Sequence, residues 1–228
     1  MRNVQYCKDK VTLVRSSRRD TMQRVLLTAL LSLGFLASQF LQSPVLAQEK
    51  KGKQAAPKKT VKKPDVIYVP TPQDVVDKML ELAKVKKTDV LYDLGCGDGR
   101  IVVTAAKKYG CKATGFDVDP MRIQESEENV AKNKVGKLAK IQQKDIFTLD
   151  LSKANVVTLY LLPSLNVRLI PQLEKLKPGS RIVSHDFNMR SVTPDKVIRM
   201  VSKEDDIEHT IYVWTAPLKK AKKKGKNK

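Results

Sequence analysis

Cysteine is scarce in this chain, and its spacing excludes two classes of small protein. Three cysteines occur in 228 residues, at Cys7, Cys96 and Cys111. Such a set is neither the framework of a disulfide-stabilised domain nor a zinc-ligand pattern, so no metal site is predicted. Cys96 and Cys111 flank a predicted helix of about ten residues, roughly 15 Å long. A disulfide needs Cα atoms within about 7 Å, so we expect no bond between them.

Acidic residues are nearly absent from the ends of the chain. The formal net charge is +20, yet residues 64–217 hold 23 basic and 21 acidic residues, so the excess lies outside them. Lysine runs without apolar residues do not fold alone, which predicts a flexible linker over 48–64 and a disordered tail over 218–228. These segments either aid solubility or contact an anionic membrane, nucleic acid or acidic partner. Neither has an aromatic ring to stack on bases, which disfavours sequence-specific RNA binding.

The N-terminal apolar run is too short for an ordinary membrane span. Residues 25–40 carry no charge, whereas a span needs about 20 apolar residues. Four arginines precede the run and small residues follow it at 45–47, which is typical of an export signal peptide. Residues 1–47 are therefore predicted to be an export signal or a membrane anchor, with an organelle-targeting leader as an alternative. The domain would be exported or membrane-associated, and otherwise cytoplasmic.

Strands and helices alternate over residues 65–217. The first helix is predicted at 71–85, with Thr71 as its N-cap, Pro72 as its first residue and Asp74 completing a capping pattern. Further helices are predicted at 100–110, 120–135 and 164–176, the last broken near Pro171. Strands are predicted at 89–95, 112–119, 139–147, 154–162, 180–187, 196–201 and 208–216. This alternation predicts an α/β fold: one doubly wound domain with a mostly parallel seven-stranded sheet and helices on both faces.

A glycine loop follows the first strand, in the stretch VLYDLGCGDGR. Gly95, Gly97 and Gly99 allow positive φ angles and close approach of a ligand to the main chain. In sheets of this kind, ligands bind at the carboxyl ends of the strands. Arg100 stands where the dinucleotide fingerprint has its third glycine, and the Gly-Lys-Ser/Thr of phosphate-binding loops is absent. The loop therefore predicts a ligand other than a dinucleotide or a nucleoside triphosphate.

Acids also end the next two strands. Asp117 ends the second strand, where a carboxylate can accept both ribose hydroxyls of a nucleoside. Asp145 follows the third strand and could accept an exocyclic amine of adenine, with Ile146 against the ring. Asp93 precedes the glycines, where it could hold a positive charge or accept N–H bonds from the loop. Asp98 is predicted to cap the following helix.

The motifs DLGCGDGR, FDVDP and KDIF, in this order, resemble those of the class I S-adenosylmethionine-dependent methyltransferases. The resemblance implies a Rossmann-like methyltransferase fold, S-adenosylmethionine as the cofactor and no metal. Asp93 and the glycine loop would hold the methionine end, and Asp117 would hold the ribose. Arg100 could bind the cofactor carboxylate or be solvated. The cofactor-binding residues so implied are Tyr68, Pro70, Thr71, Asp93, Leu94, Gly95, Cys96, Gly97, Gly99, Asp117, Val118, Asp145 and Ile146.

A narrower resemblance rests on VIYVPTP, LYLLPS and KPGSRIVSHDF. These stretches are similar to the small protein-lysine methyltransferases related to the mitochondrial enzymes that modify an ATP synthase subunit and the adenine nucleotide carrier. The similarity implies an enzyme that acts on a protein, with the lead-in segment VIYVPTP (residues 66–72) over the cofactor, although Tyr68 could equally pack in the core or against the linker. The protein is expected to be a monomer. Leu162, Pro163 and Ser164 would border a lysine channel.

Alternatives to lysine methylation stay open at this point. A small-molecule methyltransferase and a non-catalytic cofactor-binding domain docked through its basic tails fit the same core motifs. The Asn/Asp-Pro-Pro-aromatic motif of base methylators is absent after the fourth strand. His185 and Asp186 could act together as a general base near the substrate, or they could be structural. His209 is predicted to be non-catalytic, and Trp214 is predicted to be a core residue.

Overall fold

The computed structural model describes residues 67–221. The predicted export signal at 1–47, the linker at 48–64, Cys7 and residues 222–228 of the tail lie outside this range. Within 67–221, no helix combines the length and the apolar character that crossing a bilayer requires.

The described chain forms seven strands and four α-helices in alternation. The strands are β1 (Val90–Leu94), β2 (Lys112–Asp117), β3 (Ala139–Gln143), β4 (Val156–Leu159), β5 (Arg181–His185), β6 (Lys196–Val201) and β7 (Glu208–Thr215). The helices are α1 (Gln73–Leu82), α2 (Arg100–Thr104), α3 (Pro120–Lys132) and α4 (Pro163–Leu173). A π-helical turn, Ala105–Tyr109, extends α2, and a 3-10 turn, Ile146–Thr148, follows β3.

The seven strands form one sheet in the order β3-β2-β1-β4-β5-β7-β6. Strands β1 to β5 pair in parallel, while β7 runs antiparallel to both β5 and β6. The strand order reverses between β1 and β4, which is where such sheets open a crevice for ligands. The predicted fold class is confirmed.

Apolar side chains cover both faces of the sheet. In β7, Ile211 and Val213 join the core on one face, where α1 and α2 pack, while Trp214 joins the core on the face of α4. Trp214 is 1% exposed, which confirms the core prediction. Every residue of β4 is buried, because helices cover this central strand on both sides.

The start of the first helix differs from the prediction. Pro72 is the N-cap and offers no capping side chain, and the Glu204 carboxylate accepts the Gln73 N–H at 2.8 Å. The Thr71 hydroxyl instead hydrogen-bonds His185 Nδ1 at 3.0 Å. Asp74 accepts from the Ser202 hydroxyl and the Lys203 N–H, each at 2.8 Å. The capping pattern was therefore a wrong interpretation, because tertiary partners take both side chains.

Three further boundaries differ. α4 runs through Pro171, and the Glu174 N–H donates to Ile170 O at 2.9 Å, so the predicted break is wrong. β3 ends several residues early, because Asp145 caps the 3-10 turn by accepting the Phe147 N–H. β4 also ends early, at Leu159, and Leu162 is already the N-cap of α4. Disorder was predicted from 218, yet the Ala221 N–H donates to Ser191 O at 2.9 Å. Cys96 and Cys111 are buried free thiols, as predicted.

Candidate functional site

A cleft opens at the carboxyl ends of β1, β2 and β4. Together with its open mouth it encloses about 940 Å³ of space. Its lining comprises Ile67, Tyr68, Val69, Thr71, Asp93, Gly95, Cys96, Asp98, Arg100, Ile101, Asp117, Val118, Asp119, Arg122, Asp145, Ile146, Tyr160, Leu161 and Leu165.

The glycine loop is fastened to β2 by its own main chain. The N–H groups of Gly95 and Cys96 donate to Phe116 O at 2.8 and 3.0 Å. The Gly97 N–H donates to Asp117 Oδ2 at 3.1 Å. Gly97 has a φ of +53°, and a Cβ there would lie 2.1 Å from Tyr68 Cε2. Only glycine fits, because the Tyr68 ring lies directly on the loop.

Asp93 presents a buried carboxylate oxygen to the cleft. The residue is 2% exposed, and its Oδ1 accepts from the Thr158 hydroxyl at 2.7 Å. Its Oδ2 has no hydrogen-bond partner in the part of the chain that the structure describes. Burial raises the pKa of this carboxyl to about 7, and the charges of Asp117 and Asp98 add to the effect. A buried oxygen of this kind fits a cationic donor such as the cofactor's ammonium group.

Asp117 accepts three backbone N–H groups around the cleft. Its Oδ1 accepts from Val118 and Asp119 at 2.7 and 3.0 Å, and its Oδ2 accepts from Gly97. Each carboxylate oxygen offers about two acceptor sites, so capacity for a ribose hydroxyl remains. Asp145 caps the 3-10 turn and lines the cleft beside Ile146. Both acids therefore lie where the sequence places them, each held in position by main-chain donors.

The lead-in segment lies across the glycine loop. Arg100 Nη1 donates to Thr71 O at 2.7 Å, while the same guanidinium pairs with Asp98 at 2.7 Å. The prediction that Asp98 caps α2 is wrong, because Gly99 is the N-cap; Asp98, one residue earlier, accepts the Arg100 N–H at 3.1 Å. The Arg122 guanidinium lies 4.7 Å from the centre of the Tyr68 ring. Arg100 thus links the glycine loop to the lead-in segment. This role differs from both of those expected from the sequence, which were binding of the cofactor carboxylate and a solvated position.

Tyr68 is partly buried between these charged groups. Its hydroxyl has no hydrogen bond within normal distance among residues 67–221, although it lies near the Asp98 carboxylate. Burial, followed by the charge of Asp98, raises the pKa of Tyr68 to about 12. The phenol therefore stays neutral and serves as a wall of the cleft.

Most of the predicted cofactor residues meet in this cleft. Nine of them line it: Tyr68, Thr71, Asp93, Gly95, Cys96, Asp117, Val118, Asp145 and Ile146. Pro70, Leu94, Gly97 and Gly99 are not among its lining residues; Leu94 is fully buried in the core. The glycines act through the shape of the loop instead.

The predicted channel residues lie beside the cleft rather than in its lining. Leu162 is the N-cap of α4, with Pro163 and Ser164 in the first turn. Tyr160, Leu161 and Leu165 line the cleft in their place. The motif LYLLPS does reach the cleft, through Tyr160 and Leu161. Arg122 and Asp119 also line the cleft and were not predicted to; Arg122 lies outside the quoted motifs, whereas Asp119 is the second acid of FDVDP.

His185, Asp186 and His209 lie together behind the cleft wall. His185 Nε2 is 3.3 Å from Asp186 Oδ2, which agrees with the predicted pairing of these neighbours. His209 Nδ1 lies 2.9 Å from His185 Nε2, so the two histidines form one cluster, which the sequence did not indicate. Burial lowers the pKa of His185 to about 4. The Tyr160 ring packs on His185 with centroids 4.0 Å apart and separates the cluster from the cleft.

Comparison with known proteins identifies the family. Residues 93–196 match the ANTKMT methyltransferase domain. The chain is 48% identical over 153 residues to a protein-lysine N-methyltransferase of Saccharolobus islandicus, covering 66% of this chain and 94% of that protein. A Salinibacter ruber structure titled an RNA methyltransferase in complex with S-adenosyl-L-homocysteine is 49% identical, with a TM-score of 0.60 over 65% of this chain and 94% of that one.

This chain belongs to the same family of S-adenosylmethionine-dependent methyltransferases. The human ATP synthase c-subunit lysine N-methyltransferase is a more distant relative, 28% identical over 131 residues, and the match spans 55% of its length. The methyltransferase's cofactor is S-adenosylmethionine, and the free Asp93 Oδ2 and the glycine loop are consistent with that ligand.

Proposed function

We propose that this methyltransferase N-methylates lysine side chains of a protein substrate. S-adenosylmethionine, when bound, supplies a methyl group on a positively charged sulfur. The observation that carries the proposal is the charge of the cleft, whose lining holds five carboxylates and two guanidinium groups. Such a lining attracts cations and repels the phosphates of a nucleic acid.

The residues divide the work of binding. With S-adenosylmethionine bound, Asp93 would hold the ammonium group, Asp117 would hold the ribose, and Asp145 with Ile146 would contact adenine. Holding the cofactor at these points fixes its position relative to the incoming amine, which is the main contribution a protein makes to a two-reactant displacement.

Apolar residues of the cleft favour the neutral, reactive form of the substrate lysine. A lysine ε-amine has a pKa of about 10.4 and reacts only after it loses a proton. Ile67, Leu161 and Leu165 line the cleft, and an apolar environment disfavours the charged ammonium form. With the cofactor's positive charge beside the acids of the cleft, entry past these apolar residues would lower the lysine pKa. The ε-ammonium would release its proton to solvent water, and the neutral amine would then be the nucleophile.

The names of the relatives support lysine as the methyl acceptor, and one of them names RNA as the competing acceptor. Protein-lysine methyltransferases and lysine methyltransferases of the ATP synthase c-subunit are among them, as is the Salinibacter ruber protein titled an RNA methyltransferase. The test is transfer of labelled methyl groups to a lysate of cells lacking this gene. We expect label in protein that protease releases as methyl-lysine. Label that ribonuclease releases, or that passes a filter retaining macromolecules, would contradict lysine methylation; so would cofactor binding without any turnover.

The N-terminal segment and the tails call for a separate proposal. We propose that residues 1–47 direct export or membrane attachment and that the Lys-rich segments 48–64 and 218–228 contact an anionic surface. These two segments hold +6 and +7, together +13, of the net charge of +20. A reporter fused after residue 64 should report an extracytoplasmic or membrane-bound position. Binding to vesicles with anionic lipid should weaken with salt; a soluble cytoplasmic reporter with no vesicle binding would contradict both.

A further inference from the structure

Both histidines of this chain meet at one point. The sequence contains two histidines, and strands β5 and β7 bring His185 and His209 side by side. His185 Nε2 and His209 Nδ1 are 2.9 Å apart. Asp186 Oδ2 lies 3.3 Å from the first nitrogen and 3.4 Å from the second. Three atoms that can each bind a metal therefore form a nearly equilateral triangle.

We propose that His185 Nε2, His209 Nδ1 and Asp186 Oδ2 bind a divalent transition metal ion, with Zn²⁺ the best match. A tetrahedral Zn²⁺ with bonds of about 2.0–2.1 Å holds its ligand atoms about 3.3 Å apart. The observed sides of 2.9, 3.3 and 3.4 Å fit one face of that tetrahedron. Two imidazoles and one carboxylate suit zinc and its neighbours in the transition series, and suit Mg²⁺ and Ca²⁺ poorly.

A second set of contacts orients every proposed ligand. His185 Nδ1 is 3.0 Å from the Thr71 hydroxyl, and His209 Nε2 is 3.1 Å from Asp205 Oδ2. The other oxygen of Asp186, Oδ1, accepts the Thr210 N–H at 2.8 Å. Metal-binding histidines characteristically donate their second N–H to such a partner, and ligating carboxylates are hydrogen-bonded in turn. Asp186 also has a φ of +54°, an unusual backbone angle that places its carboxylate against the histidines.

The metal and metal-free states differ in the position of one imidazole proton. Without a metal, the 2.9 Å contact requires an N–H on one of the two facing nitrogens. With a metal, both facing nitrogens are bare, so His185 carries Nδ1–H toward Thr71 and His209 carries Nε2–H toward Asp205. The pattern of hydrogen-bond partners already suits the metal-bound pair of tautomers.

The site can be reached from outside the core. His185 is fully buried and the His209 side chain is 8% exposed, whereas the Asp186 side chain is 28% exposed. An ion would therefore enter from the side of Asp186. It would join the ends of β5 and β7 to Thr71, a residue that lines the cleft, and it should stabilise the fold. This site stands apart from the methyl transfer proposed above and does not depend on it.

Metal titration of the full-length protein without an affinity tag tests the proposal. After dialysis against chelator, Zn²⁺ should bind at one equivalent and raise the melting temperature, and Co²⁺ should give the visible absorption of a tetrahedral site. His209→Ala should abolish both, and Asp205→Asn should weaken binding by about 10- to 100-fold, the usual effect of losing an orienting partner. Asp150→Asn, an exposed acid whose side chain bonds Ser152, is the matched control and should bind as wild type does.

Nuclear magnetic resonance of the imidazole nitrogens gives a readout that needs no variant. With two histidines in the chain, the spectrum is simple, and Zn²⁺ should convert the pair to Nδ1–H on His185 and Nε2–H on His209. Cys7→Ser should leave zinc binding unchanged. Failure of wild-type protein to bind Zn²⁺, unchanged tautomers after zinc addition, or loss of binding in Cys7→Ser would overturn the proposal.

Discussion

The two halves of the sheet's carboxyl edge were built in different ways. At β1 and β2, Asp93, the glycine loop and Asp117 are each part of a short strand-end motif. At β5 and β7, the cluster joins residues 24 positions apart, and its link to Thr71 spans 114 positions. A site whose residues come from successive strand–loop–helix units can be recognised in the sequence. A site assembled across an antiparallel strand becomes visible only when the fold brings its parts together.

The largest effect is expected from adding one methyl group to the glycine loop, in the half of the edge formed by β1 and β2. Gly97→Ala places a Cβ 2.1 Å from Tyr68 Cε2 at a φ of +53°. Either the ring or the loop must move, so we expect cofactor affinity to fall by about 100-fold, measured by calorimetry. Gly136→Ala is the control, because its Cβ would have one neighbour, Val130, at 3.9 Å. Equal affinities would show that the loop geometry does not matter.

Removing one charge should have the next largest effect. Asp93→Asn keeps an acceptor for Thr158 but removes the negative charge at Oδ2. We expect cofactor affinity to drop about 10- to 100-fold, the value of a charge-assisted hydrogen bond of about 1.5–3 kcal/mol. Asp150→Asn again serves as the control. An unchanged dissociation constant for Asp93→Asn would mean that the ammonium group binds elsewhere.

The same carboxyl should make cofactor binding depend on pH. Its pKa is raised to about 7 by burial and by the charges of Asp117 and Asp98. The ionised form binds the ammonium group, so affinity should rise about tenfold from roughly pH 6 to pH 8, and Asp93→Asn should lose this part of the rise. Titrations of both proteins across this range make the comparison. Parallel pH profiles would contradict the assignment.

Stability should respond to that carboxyl with the opposite sign. The folded pKa lies above the ordinary value of 3.8, so between about pH 4 and pH 7 the folded state holds the extra proton. This contribution to the free energy of unfolding therefore decreases as pH rises through that window and is constant above it. Denaturant unfolding of wild type and Asp93→Asn should diverge in that window; identical pH dependence would contradict the raised pKa.

The smallest effect is expected at Leu162, which follows β4 between the two halves. Leu162 is 44% exposed at the start of α4, beside the cleft. Leu162→Ala should raise KM for a protein substrate by roughly three- to tenfold through lost apolar contact, with cofactor affinity unchanged. Val197→Ala on β6 removes a similarly exposed side chain, 47% exposed, and should change neither constant. Equal KM values for all three proteins would remove Leu162 from the substrate path.

The sequence predicted the fold well because strand and helix periodicity is local. All seven strands exist, and 196–201 matches β6 to the residue. Errors arose where a tertiary partner outcompeted a local rule. Thr71 has the side chain of a helix cap but bonds His185, and α4 accepts Pro171 within its length. Asp93, Asp117 and Asp145 could be placed at the cleft from the sequence because parallel strand ends converge in space. Arg122 lies in the first turn of α3, just after FDVDP, and lines the cleft without belonging to that motif.

The most direct test of the central claim is a crystal structure of this protein with S-adenosyl-L-homocysteine. The account predicts the amino-acid ammonium at Asp93 Oδ2, the ribose hydroxyls at Asp117 and adenine between Asp145 and Ile146. A ligand bound away from the glycine loop, or ribose hydroxyls without contact to Asp117, would contradict it.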